Sequence, residues 1–229
     1  MRLKGKVALV TGGSRGIGAA IVDAFGHAGA TVVAVSRSAK GPAAVRGDVS
    51  KDAERIVRAV VKKWGRLDVL VNNAGASVSE AWTDDLGAVT DDLWDRVMET
   101  DLHGAFKLSR AAARVMKRGK IINVSSIPAL TGEREGIVYT IAKAGVLGMT
   151  KSLAMLLAPR IQVNAMAFGS IETGWVEWLP RGMKQEYEAA IPLGRFGRPA
   201  EAAELALFLA GNDGVTGQTY VLDGGESRI

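Results

Sequence analysis

Short hydrophobic runs alternate with amphipathic stretches along the chain. The runs are rich in Val, Ile and Leu, and they occupy residues 6–13, 31–37, 66–75, 120–126, 161–169 and 219–225. Between them, apolar residues recur at helical spacing in residues 16–30, 52–64, about 91–117, about 137–157 and 199–210. Strands that are hydrophobic throughout and separated by helices are typical of a parallel sheet covered on both faces. The pattern predicts one doubly wound α/β domain over residues 1–229.

One connection is too short to contain the helix that this pattern requires elsewhere. A further strand is predicted near residues 43–49, but only the segment SAKGP separates it from the run at 31–37. A parallel crossover usually needs about ten to twelve residues. We therefore expect a loop or a single turn there, at a less covered edge of a sheet of about seven strands.

Composition narrows the kinds of site that are possible. The 229 residues contain no Cys, which excludes disulfides, thiol catalysis and Cys-ligated metal. The two histidines, His27 and His103, are far apart in sequence, so we expect no metal site. There is no run of about 18 apolar residues, and the apolar run after the basic N-terminus indicates a buried strand rather than a signal sequence. We expect a cytoplasmic protein without a membrane segment.

The net charge of +5 does not by itself indicate a particular binding partner. The basic residues are scattered, and their longest run is the pair Lys62-Lys63. Such a surface is typical of ordinary solvation, although a basic excess also attracts phosphates or an acidic carrier protein. Without interleaved aromatic residues, a nucleic-acid partner is not expected.

The segment TGGSRGIG joins the first predicted strand to the first predicted helix. Gly12, Gly16 and Gly18 allow the backbone to approach a pyrophosphate, and the helix N-terminus offers unpaired N–H groups. A purely structural turn is the alternative interpretation. The position at the start of a doubly wound pattern favours a dinucleotide site.

Three polar residues lie at the end of the fifth predicted strand and on the helix that follows it. Tyr139 and Lys143 are four residues apart and share a helix face, while Ser126 ends the strand. A phenol has a pKa of about 10, and a neighbouring cation stabilises the phenolate and lowers that pKa. Tyr139 is therefore a candidate general acid and base, with Ser126 holding a substrate oxygen. Alone, a Tyr-x-x-x-Lys pattern usually consists of two solvent-exposed residues without a function. The other motifs of this chain favour a catalytic site.

Taken together, these motifs resemble the short-chain dehydrogenase/reductase family over nearly the whole chain. The matching features, in order, are the glycine turn, NNAG at 72–75, Ser126 with Tyr139 and Lys143, and DGG at 223–225. The resemblance is strongest to 3-oxoacyl-carrier-protein reductases. It implies a Rossmann fold, a homotetramer, and interconversion of a ketone and a secondary alcohol. Sugar or polyol dehydrogenases of the same family, and a catalytically silent dinucleotide sensor, are the alternatives.

The resemblance also implies which residues contact the cofactor. Lys143 would hold the nicotinamide ribose as well as act on Tyr139, Thr173 would contact the carboxamide, and Asp48-Val49 would lie beside the adenine. The full set of expected cofactor contacts is Gly12, Ser14, Arg15, Gly16, Ile17, Gly18, Ser36, Arg37, Ser38, Asp48, Val49, Asn73, Ala74, Gly75, Tyr139, Lys143, Gly169, Ile171 and Thr173.

The choice between the two nicotinamide cofactors depends on the end of the second strand. An acidic residue there would bind a ribose 2′-hydroxyl and select NAD. This chain has Ser36-Arg37-Ser38 instead, with Arg15 in the glycine turn. Guanidinium groups suit a 2′-phosphate, so NADPH is expected, unless Arg37 is a solvated loop residue.

Two positions depart from the family pattern. Asp101 stands where an Asn is usual; its backbone carbonyl can keep the family's water relay, while its charge can pair with Lys143. Phe168 stands where a Pro is usual, which restores an N–H group and is expected to add a ring near the nicotinamide, unless the change is neutral. Asp101 completes the predicted catalytic set with Ser126, Tyr139 and Lys143.

Residues 174–190 lie where the family has its variable substrate lid. Their large apolar side chains can form a wall over the substrate or pack between subunits; these are Trp175, Trp178, Leu179 and Met183. On the other side of the predicted site, IPALTGEREG carries charges of both signs. Neither segment identifies the substrate.

Overall fold

The computed structural model describes residues 2–76, 79–180 and 182–227, without the side chain of Trp178. Within these residues, seven strands form one sheet in the order β3-β2-β1-β4-β5-β6-β7, and each neighbouring pair is parallel. The strands are β1 Val7–Thr11, β2 Thr31–Ser36, β3 Ala44–Arg46, β4 Val69–Asn72, β5 Gly119–Ser126, β6 Ile161–Phe168 and β7 Thr219–Leu222. The predicted parallel α/β fold is confirmed.

Helices cover both faces of this sheet. They are α1 Gly16–His27, α2 Ala53–Trp64, α3 Asp91–Met98, α4 Gly104–Val115, α5 Pro128–Thr131, α6 Ile137–Leu157, α7 Met183–Ala190 and α8 Pro199–Gly211. One buried cluster joins α2, α4 and α6 to the sheet, and Ile56, Leu108 and Leu153 belong to it. A second cluster contains Phe25 and Ala206 and joins α1 and α8 to the opposite face. Strands β1 and β4 are neighbours at the point where the strand order reverses, so a crevice is expected beyond their carboxyl ends.

The short connection between β2 and β3 contains no helix, as its length predicted. Residues 37–43 form turns, and the three residues of β3 are only half-buried or exposed. The helices α5 and α7, in contrast, were not predicted. Both are short and lie in segments whose hydrophobic pattern has no clear helical period.

The helix expected over residues 91–117 is interrupted at its centre. Residues Glu99–His103 form a wider π-helical turn between α3 and α4. Such turns occur often at functional sites. Here the turn contains Asp101, which is buried.

The helix α6 is long and apolar enough to cross a membrane by length and composition alone. In this fold it packs against β5 and β6 and buries eight of its residues, including Lys143 and Thr150. Core packing therefore explains part of its apolar character, while Met155 and Leu156 remain exposed.

Candidate active site

The ends of four adjacent strands bring the sequence motifs together. Thr11 ends β1, Asn72 ends β4, Ser126 ends β5 and Phe168 ends β6. Asn72 pairs in register with Asn123, and Ser126 pairs with Phe168. The glycine turn, the NNAG segment and Ser126 therefore all lie at the carboxyl edge of the sheet.

Thr11 and Asn73 join the glycine turn to the NNAG segment. The Thr11 hydroxyl accepts hydrogen bonds from the backbone N–H groups of Asn73 and Ala74, at 2.9 and 3.0 Å. The Asn73 amide donates to the Thr11 carbonyl at 2.9 Å. A Cβ atom at Gly18 would lie 2.2 Å from the Gly12 carbonyl oxygen. Only glycine therefore permits the close approach of helix α1 to this turn.

The glycine turn also meets the segment after β6. Gly16 has φ +53°, and a Cβ atom there would lie 3.2 Å from the Thr173 methyl group. Of the other expected cofactor contacts, Ser14, Arg15 and Ser38 are exposed. The side chains of Val49 and Ile171 are buried in the core, so these two residues can offer only backbone groups.

Helix α6 places Lys143 between Asp101 and Tyr139. The Lys143 Nζ atom lies 3.0 Å from Asp101 Oδ1 and 5.5 Å from the centre of the Tyr139 ring. It also donates to the Val124 carbonyl at 3.3 Å. Burial opposes the charged form of Lys143 most strongly, but the attraction of Asp101 and of Tyr139 outweighs it and raises the pKa of Lys143. The site therefore holds a buried cation beside the phenol.

Asp101 is fixed from two directions. Its Oδ2 atom accepts the Ala76 N–H at 2.7 Å, while Oδ1 faces Lys143. A Cβ atom at Gly75 would lie 3.0 Å from Oδ1. The predicted pairing of Asp101 with Lys143 is present, and this carboxylate contacts Lys143 directly.

Ser126 and Phe168 are paired residues at the ends of the adjacent strands β5 and β6. The Ser126 hydroxyl donates to the Phe168 carbonyl at 3.2 Å, and the Ile127 N–H donates to the same oxygen at 2.9 Å. The Phe168 side chain is buried with Ile171 and Ile122 in the core. The expectation that its ring lies at the nicotinamide site is therefore wrong, because the strand alternation turns the ring toward helix α8.

A pocket of about 360 Å³ lies at the ends of β2 and β3. Arg37, Arg46 and Arg55 line it together with Asp48 and Asp52. The Arg46 side chain donates to the Arg37 carbonyl, and Arg55 donates to the Arg46 carbonyl, both at 2.9 Å. Arg55 also pairs with Asp52 at 3.0 Å.

Sequence reasoning missed Arg46 and Arg55. Arg46 lies on the predicted third strand, two residues before Asp48, and Arg55 lies in the first turn of α2. Their approach to Arg37 depends on the pairing of β2 with β3, in which Ser36 lies opposite Arg46. The sequence places three arginines near the ends of two adjacent predicted strands and at the start of the helix that follows. This clustering could have indicated that Arg46 and Arg55 lie near Arg37.

The chain end contacts the loop after β6, which the sequence did not indicate. Glu226 accepts the Ser170 N–H at 2.7 Å and the Ser170 hydroxyl at 2.8 Å. A Cβ atom at Gly169 would lie 2.4 Å from the Glu226 carboxylate. Hydrogen bonds from Ser227 and Gly225 outweigh burial and lower the pKa of Asp223, which keeps this carboxylate charged in the terminal turn.

Comparison with known proteins extends the match beyond the motifs. Residues 12–227 match the family model described as enoyl-(acyl carrier protein) reductase. The chain is 40% identical to the 3-oxoacyl-[acyl-carrier-protein] reductase of Thermotoga maritima, with 98% of this chain and 99% of the relative covered. It is 38% identical to that of Vibrio cholerae, with 100% of both covered. The ligand-free aldohexose dehydrogenase of Thermoplasma acidophilum has a TM-score of 0.91 at 29% identity, over 99% of this chain and 96% of that one.

Proposed function

The chain belongs to the short-chain dehydrogenase/reductase family, and from this premise we propose that it is an NADPH-dependent reductase of 3-oxoacyl thioesters. The relatives at 38–40% identity are 3-oxoacyl-carrier-protein reductases, which supports this substrate class over the sugar alternative. The aldohexose dehydrogenase shares the fold at a lower identity. Sugars are therefore the comparison substrates in the tests below.

The proposed reaction assigns one role to each polar side chain. A nicotinamide held at this site would supply the hydride to the carbonyl carbon of the substrate. Tyr139 gives its phenolic proton to the carbonyl oxygen of the substrate, which becomes the hydroxyl of the product. The Ser126 hydroxyl exchanges its long bond to the Phe168 carbonyl for a bond to the same substrate oxygen by rotating about its C–O bond. Lys143 stabilises the phenolate that Tyr139 becomes.

The observation that carries this proposal is the buried cation beside the phenol. The side chain of Lys143 is only 5% exposed, and its charge is balanced by Asp101 at 3.0 Å. Burying a charge is costly unless it is paired, and a purely structural helix gains nothing from a lysine there. A silent sensor would use Lys143 only to hold the ribose of the cofactor, so turnover rather than binding separates the two functions.

The residues at the two ends of the glycine crevice fit an NADP cofactor. Gly12, Gly16 and Gly18 pack closely against Asn73, Thr173 and the turn itself, so the backbone before and at the start of helix α1 carries no side chain at these three positions, which suits the approach of a pyrophosphate. At the other end, three guanidinium groups suit a 2′-phosphate, and the buried Ser36 hydroxyl has no hydrogen-bond partner among the described residues. Hydrogen bonds from Ser50 hold the pKa of Asp48 below its usual range, so Asp48 stays an acceptor for the adenine or ribose.

Changing Arg37 or Arg55 to Ala should weaken NADPH binding and leave NADH binding unchanged. Each change removes a charge-assisted hydrogen bond to the 2′-phosphate, worth about tenfold in affinity. Titration of each variant with both cofactors measures the effect without turnover. Arg58→Ala is the control, since Arg58 is exposed on the same helix one turn further on. Equal losses for NADPH and NADH would remove the arginines from the phosphate site.

Gly18→Ala should lower both stability and dinucleotide affinity, whereas Gly26→Ala in the same helix should not. The new Cβ at position 18 overlaps the Gly12 carbonyl, and overpacking of this kind costs about 1–3 kcal/mol. At position 26 nothing lies within 4 Å, so alanine should raise the free energy of unfolding by about 0.5–1 kcal/mol. Chemical unfolding and NADPH titration test both; equal behaviour of the two variants would contradict this account of the turn.

The proposal extends to the lid and the assembly. The substrate lid expected at residues 174–190 contains, in its described part, an aromatic cluster in which Trp175 lies 5.6 Å from Phe196 and 6.0 Å from Tyr187, between ring centres. The predicted contribution of the Trp178 side chain lies outside the described residues. Helices α4 and α6 expose Phe106, Met155 and Leu156, which supports an interface between subunits of the expected homotetramer. A cytoplasmic location and a single catalytic domain remain part of the proposal.

Turnover distinguishes the reductase from the silent sensor. We expect NADPH oxidation with an N-acetylcysteamine 3-oxoacyl thioester at a higher kcat/KM than aldohexose oxidation with NADP. If the protein binds NADPH and turns over neither substrate, polyols and other alcohols are tested next, and the absence of turnover with all of them favours the sensor.

A further inference from the structure

Trp82 lies against the phenol that the proposed reaction uses. The centres of the two rings are 5.2 Å apart, and the ring planes are inclined by 44°. The tryptophan remains 49% exposed, while Tyr139 is partly buried. The proton donor therefore has a large, open apolar surface directly beside it.

Two loop segments hold the indole in this place. A Cβ atom at Gly136 would lie 2.9 Å from Trp82 Cε3, and Gly136 has φ +77°, so glycine is required there for space and for conformation. The Gly136 N–H donates to the Thr83 carbonyl at 3.3 Å. Arg134 pairs with Asp84 at 3.0 Å. The segment 79–85 is thus joined to the segment 132–136, and both position Trp82 over Tyr139.

The same two segments are strongly acidic. They contain five carboxylates and one guanidinium group, an excess of four negative charges, although the whole chain carries +5. The carboxylates are those of Glu80, Asp84, Asp85, Glu133 and Glu135. An acidic rim repels an anionic group on the part of the substrate that passes between these loops. An apolar surface inside such a rim suits an uncharged substituent.

We propose that Trp82 determines substrate specificity by receiving the apolar, uncharged substituent of the carbonyl group. For a 3-oxoacyl thioester, this substituent is the acyl tail beyond the ketone. The inference rests on the proposed function, since it assumes that a ketone lies at Tyr139. It adds the prediction that long acyl tails are preferred over short ones and that Trp82 is the cause.

The test compares two thioesters that differ only in tail length. N-Acetylcysteamine thioesters of 3-oxobutanoate and 3-oxodecanoate are reduced by the wild type and by the Trp82→Ala, Trp82→Phe and Trp94→Ala variants. Trp94 is the matched control, because it is a similarly exposed tryptophan on α3. For Trp82→Ala we expect kcat/KM for the long thioester to fall by about tenfold or more relative to the short one. Trp82→Phe should retain most of the preference, and Trp94→Ala all of it.

The results that overturn the inference differ from those of a structural defect. An equal loss on both thioesters, or no loss on either, removes Trp82 from tail recognition. NADPH affinity should stay at the wild-type value in every variant, whereas a structural defect of the site would lower it together with kcat/KM for both thioesters. The rim is tested with a 3-oxoacyl thioester whose tail ends in a carboxylate against the same thioester with that carboxylate as its methyl ester: the neutral tail should be preferred, and equal rates or a preference for the anionic tail overturn the electrostatic part.

A binding experiment separates failure of this inference from failure of the proposed function. The long thioester should quench tryptophan fluorescence of the wild type in the presence of NADP, where no reduction occurs. Trp82→Ala should lose that quenching and bind the long thioester more weakly, whereas Trp94→Ala should not. If the wild type reduces no thioester, the proposed function fails; unchanged quenching in Trp82→Ala overturns the inference whether or not there is turnover.

Discussion

Tyr139→Phe should lower kcat for ketone reduction by about 10²–10⁴-fold while changing NADPH affinity by no more than one lost hydrogen bond, about tenfold. The substitution removes only the phenolic oxygen, and the ring that stacks against Trp82 is kept. The loss therefore measures proton transfer rather than packing. Steady-state kinetics and an NADPH titration on the same preparation provide the two numbers.

Tyr220→Phe is the matched control for this experiment. Tyr220 is on β7, where its ring packs 6.1 Å from that of Phe208, outside the candidate site. The kcat of the Tyr220→Phe variant for ketone reduction should equal that of the wild type. A Tyr139→Phe variant with near-normal kcat would exclude the phenol as the proton donor, and Ser126 would become the next candidate.

Asp101→Ala should lower the free energy of unfolding by about 3–5 kcal/mol at pH 7, because it leaves the Lys143 charge buried without a partner. The Ala76 N–H also loses its acceptor. Removing both charges, in Asp101→Ala/Lys143→Ala, should cost less than the sum of the two single changes. Urea unfolding of the four proteins in this double-mutant cycle measures the coupling; strict additivity would contradict the ion pair.

The same pair predicts a pH dependence with a definite sign. The pKa of Lys143 is raised in the folded protein, so the stability it contributes is complete below its unfolded pKa of about 10.4 and is lost as the pH rises through the higher folded value. The stability difference between wild type and Asp101→Ala should be largest at low and neutral pH and should shrink as the pH rises, beginning below about pH 10.4, because burial without a partner lowers the pKa of Lys143 in the variant. Asp101→Asn keeps an acceptor for Ala76, so it should cost less stability and change the pH–rate profile only modestly. An unaltered profile would discard the electrostatic role of Asp101 in catalysis.

Most of the fold could be predicted from the sequence, because most strands contain a hydrophobic run and the longer helices have a clear period, whereas the short helices α5 and α7 have none. The absence of a helix between β2 and β3 was also predicted, since the segment SAKGP is too short to contain one. The position of Ser126, Tyr139 and Lys143 followed from spacing, because two residues four apart share a helix face. The pairing of Asp101 with Lys143 was also within reach, since a buried cation attracts the nearest carboxylate.

Other contacts depend on tertiary geometry that no local pattern encodes. Trp82 reaches Tyr139 only because Gly136 and Arg134 hold its loop in place, across more than fifty residues of sequence. The ring of Phe168 points into the core because of strand alternation, which the comparison with a family proline did not consider. Glu226 meets Ser170 because the chain end returns to the β6 loop. In each case the sequence supplies the residue but not its partner.

The central claim is that Tyr139, Lys143 and Ser126 form a working ketone-reducing site that uses NADPH. The most direct test is the rate of NADPH oxidation by the wild-type protein with a 3-oxoacyl N-acetylcysteamine thioester, with NADPH binding and the hydroxyacyl product measured in the same sample. We expect one hydroxyacyl thioester to form for each NADPH oxidised. Tight NADPH binding with neither oxidation nor product, for thioesters and for simple ketones alike, would contradict the account.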